Sequence, residues 1–456
     1  MCNLIVTNVL NQETVKNANG TGKLRGPDAE NIKIVNNVLF LHNLLSITGD
    51  KISQPYTSVD EKIIVIFNGE IYNHQELFKD ITEIECIYQT YISGIENMKN
   101  LDGEFAIVIC DFHLNKIFMF HDTFGTKPLY IGISDKTFCI STYPSVSKKL
   151  KINSISKVPS NCCMELDLYS LKTNILFELF NWDLKQYKTD FRDFNLALEN
   201  SIAKRAKTDK EILVNMSSGY DTGTICCVLN KLGVKYNTAT ILGAENRNII
   251  NQRNIINKSN ISKFDIVLNL NRNETDFYKN ILVTKTENIN FPTFSRFTQK
   301  FDCLLDVHND AASLGLMKIY SNIPKDIKIV LSGSGADEIM SDYAVNGHST
   351  SAHSYFLGNF PSDLTIIFPK NVSDRECIWK NFYNGTQEVY LFKEEANTGA
   401  FGLEGRYPFL DKYVVQEFLW LTQELKKSKY KAPLNNYLSL NNYPYCEQKI
   451  GFNPFS

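Results

Sequence analysis

The chain of 456 residues contains no Cys-x-x-Cys pair, and its seven histidines fall at no zinc-ligand spacing. A structural zinc site is therefore not expected. The eleven cysteines are an odd and scattered set, which argues against a disulfide framework and for reduced, mostly buried thiols. Apolar runs such as Ile63–Phe67 and Phe105–Cys110 are far shorter than the roughly 20 residues a membrane-crossing helix needs. The formal net charge of −2 gives no bulk field that would draw the chain to nucleic acid or an anionic membrane. No basic segment precedes an apolar stretch at the amino terminus, so no signal peptide and a cytoplasmic location are the expectations.

What is present reads as two domains, since a chain of this length exceeds one comfortable core. Residues 1–185 are β-rich, with apolar segments at Leu4–Val9, Val38–Leu45, Ile63–Phe67, Phe105–Cys110 and Lys116–Phe120. Helical patterns at Asn73–Lys79 and Cys86–Gly94 lie between them, giving an α+β layered domain. Over 186–456 the pattern changes. A helix over Phe191–Thr208 is followed by strand Ile212–Met216, helix Thr222–Leu232, strand Tyr236–Leu242, a polar helix over Asn246–Ser262 and strand Asp265–Leu270. Strand Ile327–Leu331 then enters a glycine-rich turn, and the remainder to Leu440 reads as mainly helical. Strands alternating with helices indicate a parallel α/β sheet.

The residue with the most chemical content is Cys2. Removal of Met1 would leave a thiol and a free α-amino group on one residue, a nucleophile with its own base. An α-amino group titrates near ~7.7–8.0, so part of it is neutral at cellular pH. Three strings follow: Arg25-Gly26-Pro27-Asp28, Phe67-Asn68-Gly69-Glu70-Ile71-Tyr72-Asn73, and Asp122–Tyr130. Each has a plain structural reading as a turn or a packed corner. In this order behind Cys2 they resemble the class II glutamine amidotransferases. The resemblance implies an N-terminal-nucleophile αββα domain in which Cys2 attacks the glutamine side-chain amide. Asn68 and the Gly69 backbone N–H would hold the oxyanion, and Arg25, Asn68, Gly69, Glu70 and Glu83 would be the glutamine-binding set. The chain departs from relatives at Leu44, where an arginine usually grips the glutamine α-carboxylate, at Glu83, where an aspartate is usual, and at His121 and Thr123.

The second domain carries Ser217-Ser218-Gly219-Tyr220-Asp221-Thr222-Gly223 at a strand-to-helix turn. Small residues and free helix N-terminal N–H groups suit a phosphate, although an ordinary N-cap explains such a turn equally. No Gly-Lys-Ser/Thr follows, so it is not a Walker A loop. It resembles the loop of the ATP-pyrophosphatase superfamily, with Ser218 for a glycine, Thr222 for a serine, and Gly223 where many relatives add another serine. Ser332-Gly333-Ser334-Gly335-Ala336-Asp337-Glu338 resembles the asparagine synthetase signature, with Ser334 in place of glutamate. Leu403–Asp411, Ser428-Lys429-Tyr430 and Lys449–Phe452 match later segments of that family.

The asparagine synthetase resemblance implies ATP bound by Met216, Ser217, Ser218, Gly219, Asp221, Thr222, Ser332 and Gly333. Mg2+ would be held by Asp221 and Asp337, with Lys429 as a catalytic lysine. The implied reaction joins glutamine hydrolysis at Cys2 to amidation of an acyl-adenylate, with ammonia channelled between the domains and aspartate as the default acceptor. The competing readings are another carboxylate acceptor, such as a sugar or secondary metabolite, and a binding or regulatory protein that has lost one half-reaction. Expected partners are small molecules only, glutamine, ATP and a carboxylate acceptor, with no nucleic acid and no membrane; a homodimer is left open.

Overall fold

A computed structural model of the chain describes residues 2–47, 52–295, 300–340, 386–447 and 451–455. Lys449 and Ile450 of the last matched segment lie outside the described residues. The chain divides into two compact units, Met1–Asn181 with Gly399–Leu403, and Trp182–Thr398 with Glu404–Ser456. The sequence reading drew one boundary at 185; the return of five late residues to the first unit carries no compositional signal.

The first unit contains two six-stranded sheets. In one, Asn3–Thr7 lies between Thr137–Ser141 and Val38–Leu44. In the other, Gly103–Asp111 lies between Ile63–Ile71 and Lys116–His121. Side chains alternate across each strand, and the packing follows that alternation. Leu4, Val6 and Phe40 meet Ile64, Ile66, Val108 and Met119 between the sheets. Ile5, Leu39 and Leu41 face the other way, onto Val15 and Ala18 of helix Gln12–Asn19. Val65, Phe67, Ile107 and Phe118 likewise pack on Ile84, Ile87 and Tyr91 of helix Glu83–Ile92. The unit is therefore four layers, helix–sheet–sheet–helix. This explains why Phe105–Cys110 is an unbroken apolar run: both faces of that strand are covered. Helix Glu83–Ile92 begins at a capping box between Thr82 and Glu85, which fixes Glu83 in its first turn.

The second unit is built on a parallel sheet of order Ile261–Leu268, Tyr236–Ile241, Glu211–Asn215, Ile327–Leu331, Glu404–Arg406. The first strand in the chain, Glu211–Asn215, sits centrally. The chain extends the sheet one way through the next two strands, then the other way from Ile327. The carboxyl ends of Glu211–Asn215 and Ile327–Leu331 thus flank the point where strand order reverses, the usual ligand crevice of an open α/β sheet. Both glycine-rich turns leave from these two ends. Helix Arg247–Asn257 is capped by the Asn246 side chain, and the predicted polar helix ends there because Ile261–Leu268 is already strand. A hairpin of Asn290–Ser295 and Lys300–Asp306 has no counterpart in the sequence reading.

Candidate active sites

Cys2 is buried immediately before strand Asn3–Thr7. Its backbone N donates to Asn68 Oδ1 at 2.7 Å, so the two sheets meet at the nucleophile. Asn68 is fully buried, and its Nδ2 has no hydrogen-bond partner among the described residues. A buried amide donor left unsatisfied costs free energy of roughly 1–3 kcal/mol, which an arriving anionic oxygen would recover. The next residue, Gly69, has φ +135°, and a Cβ there would sit 1.9 Å from the Glu104 carbonyl oxygen, so only glycine fits.

Arg25, which the resemblance made a residue orienting the nucleophile end as well as part of the glutamine-binding set, is fully buried, its Nε donating to the Cys2 carbonyl at 3.1 Å and its Nη1 to the Tyr143 hydroxyl at 3.0 Å. It positions the nucleophile's backbone. Glu83 accepts from the Ile71 backbone N at 2.9 Å and lies 4.0 Å from His74 Nδ1, at the end of the strand that carries Asn68, Gly69 and Glu70. Glu70 is buried on that same strand. Leu44 is partly buried and brings no charge. Asp122 accepts from the backbone N–H groups of Phe105, Phe124 and Thr126 and from the Thr126 hydroxyl, so the Asp122–Tyr130 string is a structural corner. His42, on strand Val38–Leu44, is fully enclosed; burial outweighs its hydrogen bond to the Phe67 backbone and lowers its pKa to about 3.

In the second unit a cavity of about 420 Å³ opens at the reversal point of the sheet. Met216, Ser217, Asp221 and Thr222 line it from the first turn, and Ser332, Gly333, Ser334 and Asp337 from the second. Two expected ATP ligands, Ser218 and Gly219, do not line it. Ser218 is fully buried; its N–H and hydroxyl both donate to Glu245 Oε2, at 2.6 and 2.5 Å, which removes them from phosphate binding. Gly219 N donates to Ser217 Oγ at 3.3 Å.

The lysine assignment also shifts. Lys429 is exposed, whereas Lys431 is 2% exposed and donates to Asp221 Oδ1 at 2.5 Å and to Asp337 Oδ1 at 2.8 Å. The reason is local: Lys431 takes a left-handed conformation (φ 45°, ψ 50°) as it caps helix Ala432–Leu440, which turns it inward. Burial alone would lower its pKa, but the two carboxylates outweigh burial and hold it well above the ordinary lysine value. Tyr430 adds a hydroxyl donor to Asp337 Oδ1 at 2.8 Å. Because one ammonium reaches both carboxylates, Asp221 and Asp337 converge on one point. Two carboxylates suit Mg2+, which keeps waters and phosphate oxygens as its other ligands, and among the described residues no group of three or more His, Cys, Asp or Glu forms a full metal cage. Across the cavity, Glu394 is partly buried and lines its wall. Burial, partly opposed by Lys393 and reinforced by Asp310, raises its pKa to about 7.

Comparison with known proteins agrees with this division. Residues 1–156 match the profile of a glutamine amidotransferase domain, and residues 193–361 that of asparagine synthase. A Methanocaldococcus jannaschii relative is 26% identical, covering 93% of this chain and 75% of that protein. The glutamine-hydrolysing asparagine synthetase 1 of Saccharomyces cerevisiae is 25% identical, covering 86% and 70%. The Gallus gallus asparagine synthetase is 24% identical, covering 89% and 74%. With both domain profiles matched in this order, and with relatives covering most of its length, the chain belongs to the glutamine-hydrolysing asparagine synthetase family.

Proposed function

We propose that this protein is a glutamine-dependent, ATP-consuming amidotransferase that forms asparagine from aspartate. What carries the reading is the coexistence in one chain of a thiol beside an unfilled oxyanion donor and a cavity of about 420 Å³ lined by Asp221 and Asp337, the two carboxylates that Lys431 bridges.

At the first site, loss of Met1 frees the Cys2 amine, held by Asn68 Oδ1 and by Arg25 through the Cys2 carbonyl. The amine takes the thiol proton as sulfur attacks the glutamine carboxamide carbon. Asn68 Nδ2 donates to the tetrahedral oxyanion. The proton passes to the leaving nitrogen, ammonia departs, and water then hydrolyses the thioester to glutamate. At the second site, a carboxylate oxygen of the acceptor attacks the α-phosphorus of ATP, giving an acyl-adenylate and pyrophosphate. Ammonia displaces AMP to leave the amide. Lys431 neutralises charge on the phosphates, while Asp221 and Asp337 are the residues that would hold Mg2+. When bound, Mg2+ offsets phosphate charge and orients the chain of phosphates for attack.

The test is paired. Glutaminase activity is expected in the wild type and lost in Cys2→Ala; aspartate-dependent pyrophosphate release is expected in the wild type and lost in Asp337→Ala. Neither activity rising above its variant would sink the reading. A second acceptor is favoured by one observation, Ser334 in the cavity where the family signature carries glutamate. Glutaminase activity with no aspartate-dependent pyrophosphate release would select it.

A further inference from the structure

A buried strand-to-helix turn must find partners for its backbone carbonyl groups. Here one side chain does most of that. Arg253, on helix Arg247–Asn257, is fully buried. Its Nη1 donates to the Ser217 carbonyl, its Nη2 to the Gly219 carbonyl at 2.8 Å, and its Nε to the Pro444 carbonyl at 2.8 Å. The Tyr443 ring lies 5.2 Å from the guanidinium carbon. The peptide groups between those two carbonyls are held by other partners. Glu245, just before that helix, accepts the Ser218 N–H, and the Cys446 N–H donates to the Ser218 carbonyl at 2.9 Å. Arg253 itself is not among the residues lining the cavity; Ser217, Asp221 and Thr222 are.

Gly223 completes the arrangement. A Cβ at this position would lie 2.2 Å from Arg253 Nη2 and 2.6 Å from its Cζ. The guanidinium is pinned by three carbonyls and cannot swing aside. Relatives often carry a serine at this position; in this chain the space is taken by a cation approaching from below.

We propose that Arg253 is a positioning residue for the ATP phosphates, and that Gly223 is the space that admits it. The guanidinium fixes the carbonyl orientations of Ser217 and Gly219, and with them the turn that carries Ser217, Asp221 and Thr222 to the cavity. This rests on the ATP reading given above. It makes the two positions a coupled pair, which a substitution cycle can measure.

The experiment is calorimetric titration of ATP with Mg2+ into the full chain, with thermal melting and ATP-dependent pyrophosphate release as companions. Arg253→Lys keeps the charge and loses the fork. It is expected to weaken ATP binding and raise the ATP KM about tenfold, with a smaller change in kcat and little change in melting. Gly223→Ser is expected to lose more, and Arg253→Ala with Gly223→Ser to bind ATP better than Gly223→Ser alone, because the clash is gone. Arg253→Lys binding ATP like the wild type, or a double variant no better than Gly223→Ser, would overturn the inference. A merely structural arginine would lower melting and active fraction while leaving the KM of the folded remainder in place. Wild-type protein that binds no ATP would instead overturn the ATP reading itself, and the two failures are thereby told apart.

Discussion

The two sites solve opposite electrostatic problems. Around Cys2 the decisive group is a neutral amide with one end engaged and the other idle: Asn68 Oδ1 holds the Cys2 nitrogen while Nδ2 stays unpaired. Around the phosphate cavity the decisive groups are charges that already satisfy one another, with Lys431 between Asp221 and Asp337. The first site is prepared for a charge that exists only in the transition state. The second is prepared for a ligand that arrives highly charged, and its resting state needs an internal counter-ion. An idle donor contributes directly to rate; a saturated charge cluster contributes first to binding, because its contacts must be exchanged for those of the ligand.

The comparison breaks most decisively at the thiol. Cys2→Ala is expected to lower glutaminase activity by at least about 10³-fold while ammonia-dependent pyrophosphate release survives, measured with ammonium salts replacing glutamine. Comparable losses of both activities would show that the two sites are not separable. Next is the idle donor. Asn68→Ala should cut glutaminase kcat by about 10²–10³-fold, the usual value of one oxyanion donor, with the larger change in kcat rather than KM. A pure KM effect would mean Asn68 only holds substrate.

At the charge cluster, Lys431→Met leaves the partly exposed Asp221 carboxylate and the buried Asp337 carboxylate without their shared ammonium, which should cost less than the ~3–5 kcal/mol of a fully buried pair but clearly more than a surface change. Lys429→Met, on an exposed side chain, should stay within about 0.5 kcal/mol and keep pyrophosphate release. Denaturant titration of the two variants checks this directly; the reverse ranking would contradict the placement of Lys431 in the charge cluster.

The lysine pair shows where sequence reading reached its limit. A Ser-Lys-Tyr-Lys string offers two candidates two residues apart, and the choice turns on a left-handed backbone at Lys431 that no composition reveals. The sheets were legible because their runs are long: Phe105–Cys110 and Ile63–Phe67 could hardly be anything but strands covered on both faces. Glu404–Arg406 was read only as part of a matched string, yet it pairs with Ile329–Leu331 at the sheet edge; three residues are too few for any periodicity. Cys2, Asn68 and Gly69 were legible as a set because they lie in short strings. Arg253 and Glu245 were not, because they reach the loop from a separate strand-to-helix connection some thirty residues on. The pairing of Ser218 with Glu245 was not legible for the same reason, since the two are distant in sequence.

The smallest expected effect separates the two units by pH. His42 in the first unit has its pKa lowered to about 3 by burial. The unfolded chain takes up a proton below about 6.5 while the folded unit does not, so stability is lost as pH falls from about 6.5 toward 3, by roughly 1.4 kcal/mol per pH unit at most. Glu394 in the second unit has the opposite sense. Burial raises its pKa to about 7, so the folded unit keeps a proton that the unfolded chain has released, and stability increases as pH falls from about 7 toward 4.5. Asp411, in the same unit, must overcome its own burial; Lys204 and Arg205 do so and depress its pKa, so its contribution is lost only below about 4. Between about pH 6.5 and 4.5 the first unit should therefore weaken while the second strengthens. Thermal melts across that window, followed by hydrogen exchange to assign each transition, should show the two slopes with opposite signs. His42→Gln should flatten the first and Glu394→Gln the second, and parallel slopes that neither variant alters would contradict the assignment. Because Glu394 lines the cavity, its ionisation above pH 7 also places a negative charge beside the phosphates. ATP affinity should fall modestly from pH 6.5 to 8 in the wild type and less in Glu394→Gln, which ties the weaker of the two pH responses to the site itself.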